Sequence, residues 1–148
     1  MIISGLISDA KILTEIALKS KAFWGYSDEN LKTWTPDLTV SEQMIQELIV
    51  YKFVFETKII GFYILNKPKE KNIELEFLFV LPNFIGKGFG NQLIHHAFKK
   101  AISLANETIT LQADPNAVSF YQSNGFVIID QKESSIPNRF LPVMCKTL

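Results

Sequence analysis

The stretch from Glu74 to Ala101, ELEFLFVLPNFIGKGFGNQLIHHAFKKA, constrains this chain more than any other, because its hydrophobic period changes within it. Glu74 to Val80 is apolar and aromatic enough for a buried strand, whereas Phe89, Leu93, Ile94, Ala97, Phe98, Ala101 and Ile102 recur at helical spacing. The switch falls on Gly86, Gly88 and Gly90. A glycine-rich strand-to-helix junction lets backbone approach a ligand without a Cβ in the way, and the first turn of the helix offers unpaired N–H groups at the positive end of its dipole. Such a junction binds phosphate.

Spacing narrows the kind of phosphate ligand. A dinucleotide fingerprint G-x-G-x-x-G would need glycine at Asn91 counted from Gly86, or at Leu93 counted from Gly88. A Walker loop ending at Gly86-Lys87 would need glycine at Leu81 and Ser or Thr where Gly88 stands. Both patterns fail. Asn83-Phe84-Ile85-Gly86-Lys87-Gly88 resembles motif A of the GNAT superfamily of acetyl-CoA-dependent N-acetyltransferases, Gln/Arg-x-x-Gly-x-Gly/Ala after a hydrophobic strand. A second stretch, Asn116 to Phe126, is similar to the family's motif B, with Asn116, Phe120, Tyr121, Gly125 and Phe126 in the expected places. The resemblance covers roughly residues 73–126. Asn83 replaces the usual Gln or Arg, and Ile85 stands where a basic residue is common.

Read in order, Met1 to Ile7 suggests a short strand, and Ser8 or Asp9 an N-cap for a helix turning Leu13, Ile16, Ala17 and Ala22 inward and ending near Gly25. Ser27-Asp28 opens a second helical piece stopped by Pro36, and Thr39 with Glu42 reads as a capping box for a third, to about Leu48. Ile49 to Phe55 and Ile59 to Leu65 form a hairpin across Glu56-Thr57-Lys58, and Asn66 to Asn72 is a charged loop. Thr108 to Ala113 is a strand parallel to Glu74–Val80, since a long helix joins them. Pro115 begins a helix to Ser123, ended by Asn124-Gly125, and strands at Phe126–Ile129 and Phe140–Lys146 finish the sheet. The expected fold is α/β: a mixed, mostly antiparallel sheet with one central parallel pair, flanked by helices, in a single domain over 1–148. The resemblance implies further that this pair splays apart.

The resemblance also implies a site. The pantetheine arm of acetyl-CoA would pair with backbone of Leu78, Phe79 and Val80, and the amides from Phe84 through Ile85, Gly86, Lys87, Gly88, Phe89 and Gly90 to Asn91 would hold the pyrophosphate, with Asn116 nearby. Lys87 either adds charge there or is an ordinary solvated lysine. Tyr121 would protonate the departing thiolate; a tyrosine merely packed between sheet and helix is the other reading. The acetyl group would pass to a primary amine by direct attack in a ternary complex. A lysine-like amine has a pKa of about 10.4, so a base is needed. Glu74 and Glu76, two apart on one face of an otherwise apolar strand, either serve as that base or lie on a solvated face. Trp24, Tyr26 and Trp34 fall where the family's acceptor groove lies, so they line that groove or pack the core. His95-His96 belongs to the solvated side of its helix, Cys145 to a packed terminal strand, and no metal site is expected.

Fifteen basic and fifteen acidic residues balance, which argues against nucleic acid or an acidic membrane as partner. The single cysteine excludes an intramolecular disulfide and fits a cytoplasmic home. No membrane segment is visible. A polyamine, an aminoglycoside, an amino acid or a protein terminus all suit the acceptor chemistry, and exposed strand edges make a homodimer an option. A non-catalytic module that senses acetyl-CoA is the alternative function.

Overall fold

The structure is a computed structural model that describes residues 1–136 and 138–148. Its strands are β1 (Ile2–Ser4), β2 (Ile49–Phe55), β3 (Lys58–Leu65), β4 (Asn72–Val80), β5 (Thr108–Gln112), β6 (Val127–Glu133) and β7 (Phe140–Thr147). The helices are α1 (Ala10–Ala22), α2 (Asp28–Leu38), α3 (Glu42–Glu47), α4 (Phe89–Ser103) and α5 (Val118–Ser123). All strands join one sheet in the order β1-β2-β3-β4-β5-β7-β6, and every neighbouring pair is antiparallel except β4–β5. β3 is buried from Ile60 to Leu65 because both faces of the sheet are covered. Leu93, Ile94, Ala97 and Ala101 of α4 pack on one face with Tyr63, Leu65 and Ile109. Leu13, Ile16 and Ala17 of α1, with Trp34 and Leu38, pack on the other against Phe62, Ile64 and Phe77.

Two irregularities of β4 decide where the molecule opens. The parallel pairing with β5 extends only from Asn72–Thr108 to Glu74–Thr110, and there the Asn72 side chain ties the strands together by bonds with Thr108 Oγ1 and Thr110 Oγ1 at 2.8 and 3.0 Å. Beyond that point the strands part, as the family resemblance implied. On its other edge β4 carries a bulge: Leu65 faces Leu75 and Ile64 faces Phe77, so Glu76 has no partner. The extra residue reverses the alternation. Ile73 and Leu75 before it, and Leu78 and Val80 after it, all join the α4 side of the core, while Phe77 and Phe79 join the α1 side.

Several local expectations are corrected. Ala22 is exposed and Ser20 buried, so α1 presents a different end to the core. The Asp9 carboxylate accepts from Leu6 N–H and Lys52 Nζ, both at 2.7 Å, instead of capping α1. Pro36 does not stop α2, because its missing N–H falls in the last turn, where the Thr35 and Thr39 hydroxyls donate to the Leu31 and Thr35 carbonyls. Thr39 therefore closes α2, and Ser41 caps α3 through Met44 N–H at 3.1 Å. Ile102 is 56% exposed, one position off the buried stripe of α4.

Candidate active site

A cleft of about 490 Å³ lies where β4 and β5 part, between the glycine turn, the start of α5 and the end of α1. At one end its wall is backbone. Among the described residues, the amides of Gly86, Lys87, Gly88, Phe89, Gly90 and Asn91 have no acceptor within the protein, and Gln92 is the first to bond back, to the Gly88 carbonyl. The expectation that this run begins at Phe84 is corrected: Phe84 and Ile85 N–H are spent on the Leu81 and Pro82 carbonyls in a 3₁₀ turn. Gly86 and Gly88 have φ of +80° and +88°, and a Cβ on either would meet no protein atom within 4 Å, so both open directly into free space. Leu81 N–H bonds to the Ile60 carbonyl of β3 at 2.8 Å. Strand alternation then turns the peptide groups of Leu78 and Val80 to the edge that β5 has left, and leaves those of Phe79 for β3.

Two titratable groups meet in the same cleft. The bulge sets Glu76 at its wall, where Asn66 Nδ2 donates to Oε1 at 2.8 Å. Much of the residue is open to solvent, yet partial burial of its carboxyl, followed by the hydrogen bond and charge of Glu74, pushes it up to about 7; Asn66 and Lys132 pull the other way. Glu74 does not line the cleft and acts only through this contact. Tyr121, buried on α5, faces the same space with ring contacts to Phe120 and Phe126 at 5.1 and 5.5 Å. Its hydroxyl has no hydrogen-bond partner among the described residues, and burial, then the Asp114 charge, raise its pKa, so the phenol stays protonated.

The far end of the cleft is built from side chains. Burial alone would raise the Asp114 carboxyl, but an ion pair with Lys21 outweighs it, helped by Asn116 N–H and the Tyr26 hydroxyl, and holds it below the usual range. Arg139 donates to the Tyr26 hydroxyl at 2.8 Å and Asn116 Nδ2 to the same oxygen at 2.9 Å. Lys21 and Arg139 stack on the rings of Tyr26 and Trp34. Of the expected aromatic residues, Trp24 lines the cleft, Tyr26 is engaged in this cluster, and Trp34 is buried with its indole N–H on Ser135 Oγ. Asn116 lines the cleft with its amide nitrogen already committed. Sequence reasoning missed Lys21, Gln112, Asp114 and Arg139. Asp-Pro at a helix start marks Asp114 as a cap, but its partners lie far away in the chain and leave no local signal.

The remaining candidates sort simply. Phe84 and Phe89 pack with Phe55 beside the glycine turn, and the exposed Lys87 lies over the Phe84 ring at 5.8 Å. His96 corrects the solvated reading of its pair: Nδ1 bonds the Tyr63 hydroxyl at 2.7 Å, because His96 lies one turn from Leu93 at the margin of the buried stripe. His95 is exposed and Cys145 half-buried. Among the described residues, no group of three or more His, Cys, Asp or Glu side chains is placed to hold a metal ion. Nor, among them, is any helix long and apolar enough to cross a membrane.

An opened parallel strand pair running into a glycine turn and helix, with a carboxyl and a phenol in the opening, defines a GNAT-like fold. The chain belongs to the GNAT acetyltransferase family: the family model for the acetyltransferase (GNAT) domain matches residues 24–145. It is similar in structure to PaiA N-acetyltransferase from Thermoplasma acidophilum, solved in complex with coenzyme A, with a TM-score of 0.85 at 22% identity, covering 100% of this chain and 98% of that one. It also resembles a putative streptothricin acetyltransferase from Bacillus anthracis in complex with acetyl coenzyme A, with a TM-score of 0.64 at 23% identity over 69% of this chain and 63% of that one. In sequence it is 29% identical over 79 residues to an uncharacterized N-acetyltransferase, ycf52, of Porphyra purpurea, covering 53% of this chain and 45% of that protein. The chain thus spans about half the length of the curated relatives it matches.

Proposed function

We propose that the protein transfers an acetyl group from acetyl-CoA to a primary amine by direct attack in a ternary complex, in the cytoplasm. The observation that carries this reading is the coincidence, in one cleft, of unpaired amides from Gly86 to Asn91, the free edge of β4, Glu76 and Tyr121. The amides and the positive end of α4 suit a pyrophosphate, and Leu78 and Val80 suit an extended amide-bearing arm added as a strand. Acetyl-CoA supplies an activated acyl carbon as its thioester. A Glu76 carboxyl near 7 is poised to take the amine's proton at neutral pH. A backbone N–H near Val80 offers a donor to the carbonyl oxygen as charge builds on it. Tyr121, held protonated and otherwise unpartnered, offers its O–H to the sulfur.

The test is a panel of amines with acetyl-CoA, read by free-thiol release and by mass of the acetylated product. Turnover on at least one amine is expected. Tight CoA binding without turnover on any amine would instead favour a sensing module and refute the catalytic reading.

A further inference from the structure

A second groove, of about 370 Å³, lies beyond the Asp114 cluster and borders the main cleft at Lys21 and Gln112, which line both. If acetyl-CoA takes the end with the free amides, an amine must arrive by this other one. Its walls include Lys132, Ser134, Ser135 and Arg139.

The partly buried charges beside this groove do not cancel. The side chains of Lys21 and Arg139 are only 14% and 19% exposed, and both turn to one carboxylate, Asp114, whose Oδ2 is taken by Lys21 and lies 3.6 Å from Arg139. A guanidinium carries five N–H donors in a planar fork. Among the described residues, the Arg139 side chain makes one hydrogen bond, to the Tyr26 hydroxyl. Its cation is thus largely withdrawn from water, shares its carboxylate with Lys21, and has guanidinium donors left without an acceptor among the described residues. Lys132 adds a second positive charge and is near enough to Glu76 to act on its carboxyl. Asp37 and Glu133 also border the groove; like Lys132, they are exposed and screened by solvent, so the partly buried Arg139 is the charge that distinguishes this wall. Of the two serines in the wall, Ser134 spends its proton on the Ile136 carbonyl, whereas Ser135 accepts from the Trp34 indole and keeps its own proton to donate.

Resting on the acetyltransferase reading above, we infer that the acceptor is an amine bearing an acidic group, a carboxylate or phosphate held by the Arg139 fork with Lys132 while its amino group meets Glu76. A diamine would set a cation against Arg139.

The experiment compares kcat/KM for 3-aminopropanoate, O-phosphoethanolamine, 1,3-diaminopropane and propylamine. The acidic amines should exceed the diamine by at least ~10-fold, as befits a charge-assisted hydrogen-bonded pair, and whichever acidic amine leads identifies the oxyanion. In Arg139→Gln the ratio should fall to within about threefold of one, with Arg139→Lys between, because it keeps the charge and loses the fork. Arg139 stacks on Tyr26 and Trp34, so thermal melts must accompany these variants; should Arg139→Gln fail to fold, Lys132→Gln should lower the same ratio. A parent enzyme that prefers 1,3-diaminopropane, or a ratio unmoved by folded Arg139 and Lys132 variants, overturns the inference. Absence of turnover on any amine would sink the acetyltransferase reading alone. The subsite is then read by binding of 3-acetamidopropanoate to the CoA-loaded protein, where a ~10-fold weakening in Arg139→Gln supports it and equal affinity refutes it.

Discussion

At the glycine turn the cleft is made of backbone, with the amides from Gly86 to Asn91 unpaired among the described residues and open space beside Gly86 and Gly88. At the Asp114 end it is made of side chains from α1, the loop after it, the residues following β5 and the loop before β7, held by charge and ring stacking. The two ends therefore fail differently. A backbone site tolerates most changes of side chain but not a Cβ in the wrong place. A side-chain cluster is indifferent to backbone conformation and sensitive to the loss of any one charge, since the remaining partners stay partly buried.

The largest effect expected from this contrast is at Gly88. Gly88→Val places a branched side chain in the cradle at φ +88°, and CoA affinity measured by calorimetry should fall by more than ~100-fold as several charge-assisted amide bonds are lost. The left-handed backbone itself adds strain of about 1–2 kcal/mol, so a control with the same strain sharpens the test. Gly125→Ala sits at φ +91°, with its Cβ meeting Lys146 Nζ at 2.6 Å, away from the cleft. It should lower the melting temperature while leaving CoA affinity within about threefold of the parent. Equal affinity in Gly88→Val and the parent would break the assignment of the backbone end.

The middle of the cleft should show effects on rate more than on affinity. Glu76→Gln is expected to lower kcat/KM by about 100-fold above neutrality and to flatten the rise in rate through pH ~7. Stability gives an independent readout of the same group. Its folded pKa of about 7 exceeds the ordinary 4.5, so the native state holds the proton more tightly, and the ionised carboxyl weighs against the fold as pH rises through that window. The parent should lose melting temperature between pH 4.5 and 7 relative to Glu76→Gln; parallel curves would show that Glu76 is an ordinary surface carboxylate. Tyr121→Phe deletes only a hydroxyl that has no partner within the described protein, so stability should change by less than ~1 kcal/mol. Its kcat should nonetheless drop at least ~10-fold with acetyl-CoA affinity near normal. A folded Tyr121→Phe enzyme with parental kcat, where chemistry limits turnover, would remove the phenol from the mechanism.

The same contrast explains what could be read in the chain. The strand, glycine turn and helix from β4 through α4 were legible because they depend on local period and on residues without a Cβ, and the resemblance of Asn116 to Phe126 to motif B located Tyr121. Of the aromatic residues that the family's layout set over the acceptor groove, Trp24 lines the main cleft and Trp34 the second groove. The bulge at Glu76 was not legible, since it is a register difference between β3 and β4 and not a property of either strand alone. Its consequence was hidden with it: Glu74 and Glu76 read as equals at period two, yet only Glu76 lines the cleft. Lys21, Asp114 and Arg139 were missed for the same kind of reason, because their pairing is decided by how distant segments meet. Thr39 shows the local version of this failure. It satisfied a capping pattern on paper, but its hydroxyl goes back to Thr35, and Ser41 takes the helix start.

The smallest expected effect probes the comparison from the other side. Lys87 is the charged residue of the glycine turn and the one that a side-chain account of pyrophosphate binding would choose. In the structure it is exposed, does not line the cleft, and has its ammonium 5.8 Å from the Phe84 ring centroid. An exposed cation at that position acts through water and salt, which screen it over about 8 Å at physiological ionic strength. Lys87→Ala should therefore weaken CoA binding by no more than about threefold at ~0.15 M salt, with a somewhat larger effect at low salt. Calorimetry at two salt concentrations reads both. A loss of tenfold or more at physiological salt would mean that charge, and not the row of free amides, holds the anion, and the two ends of the cleft would then differ far less than their construction implies.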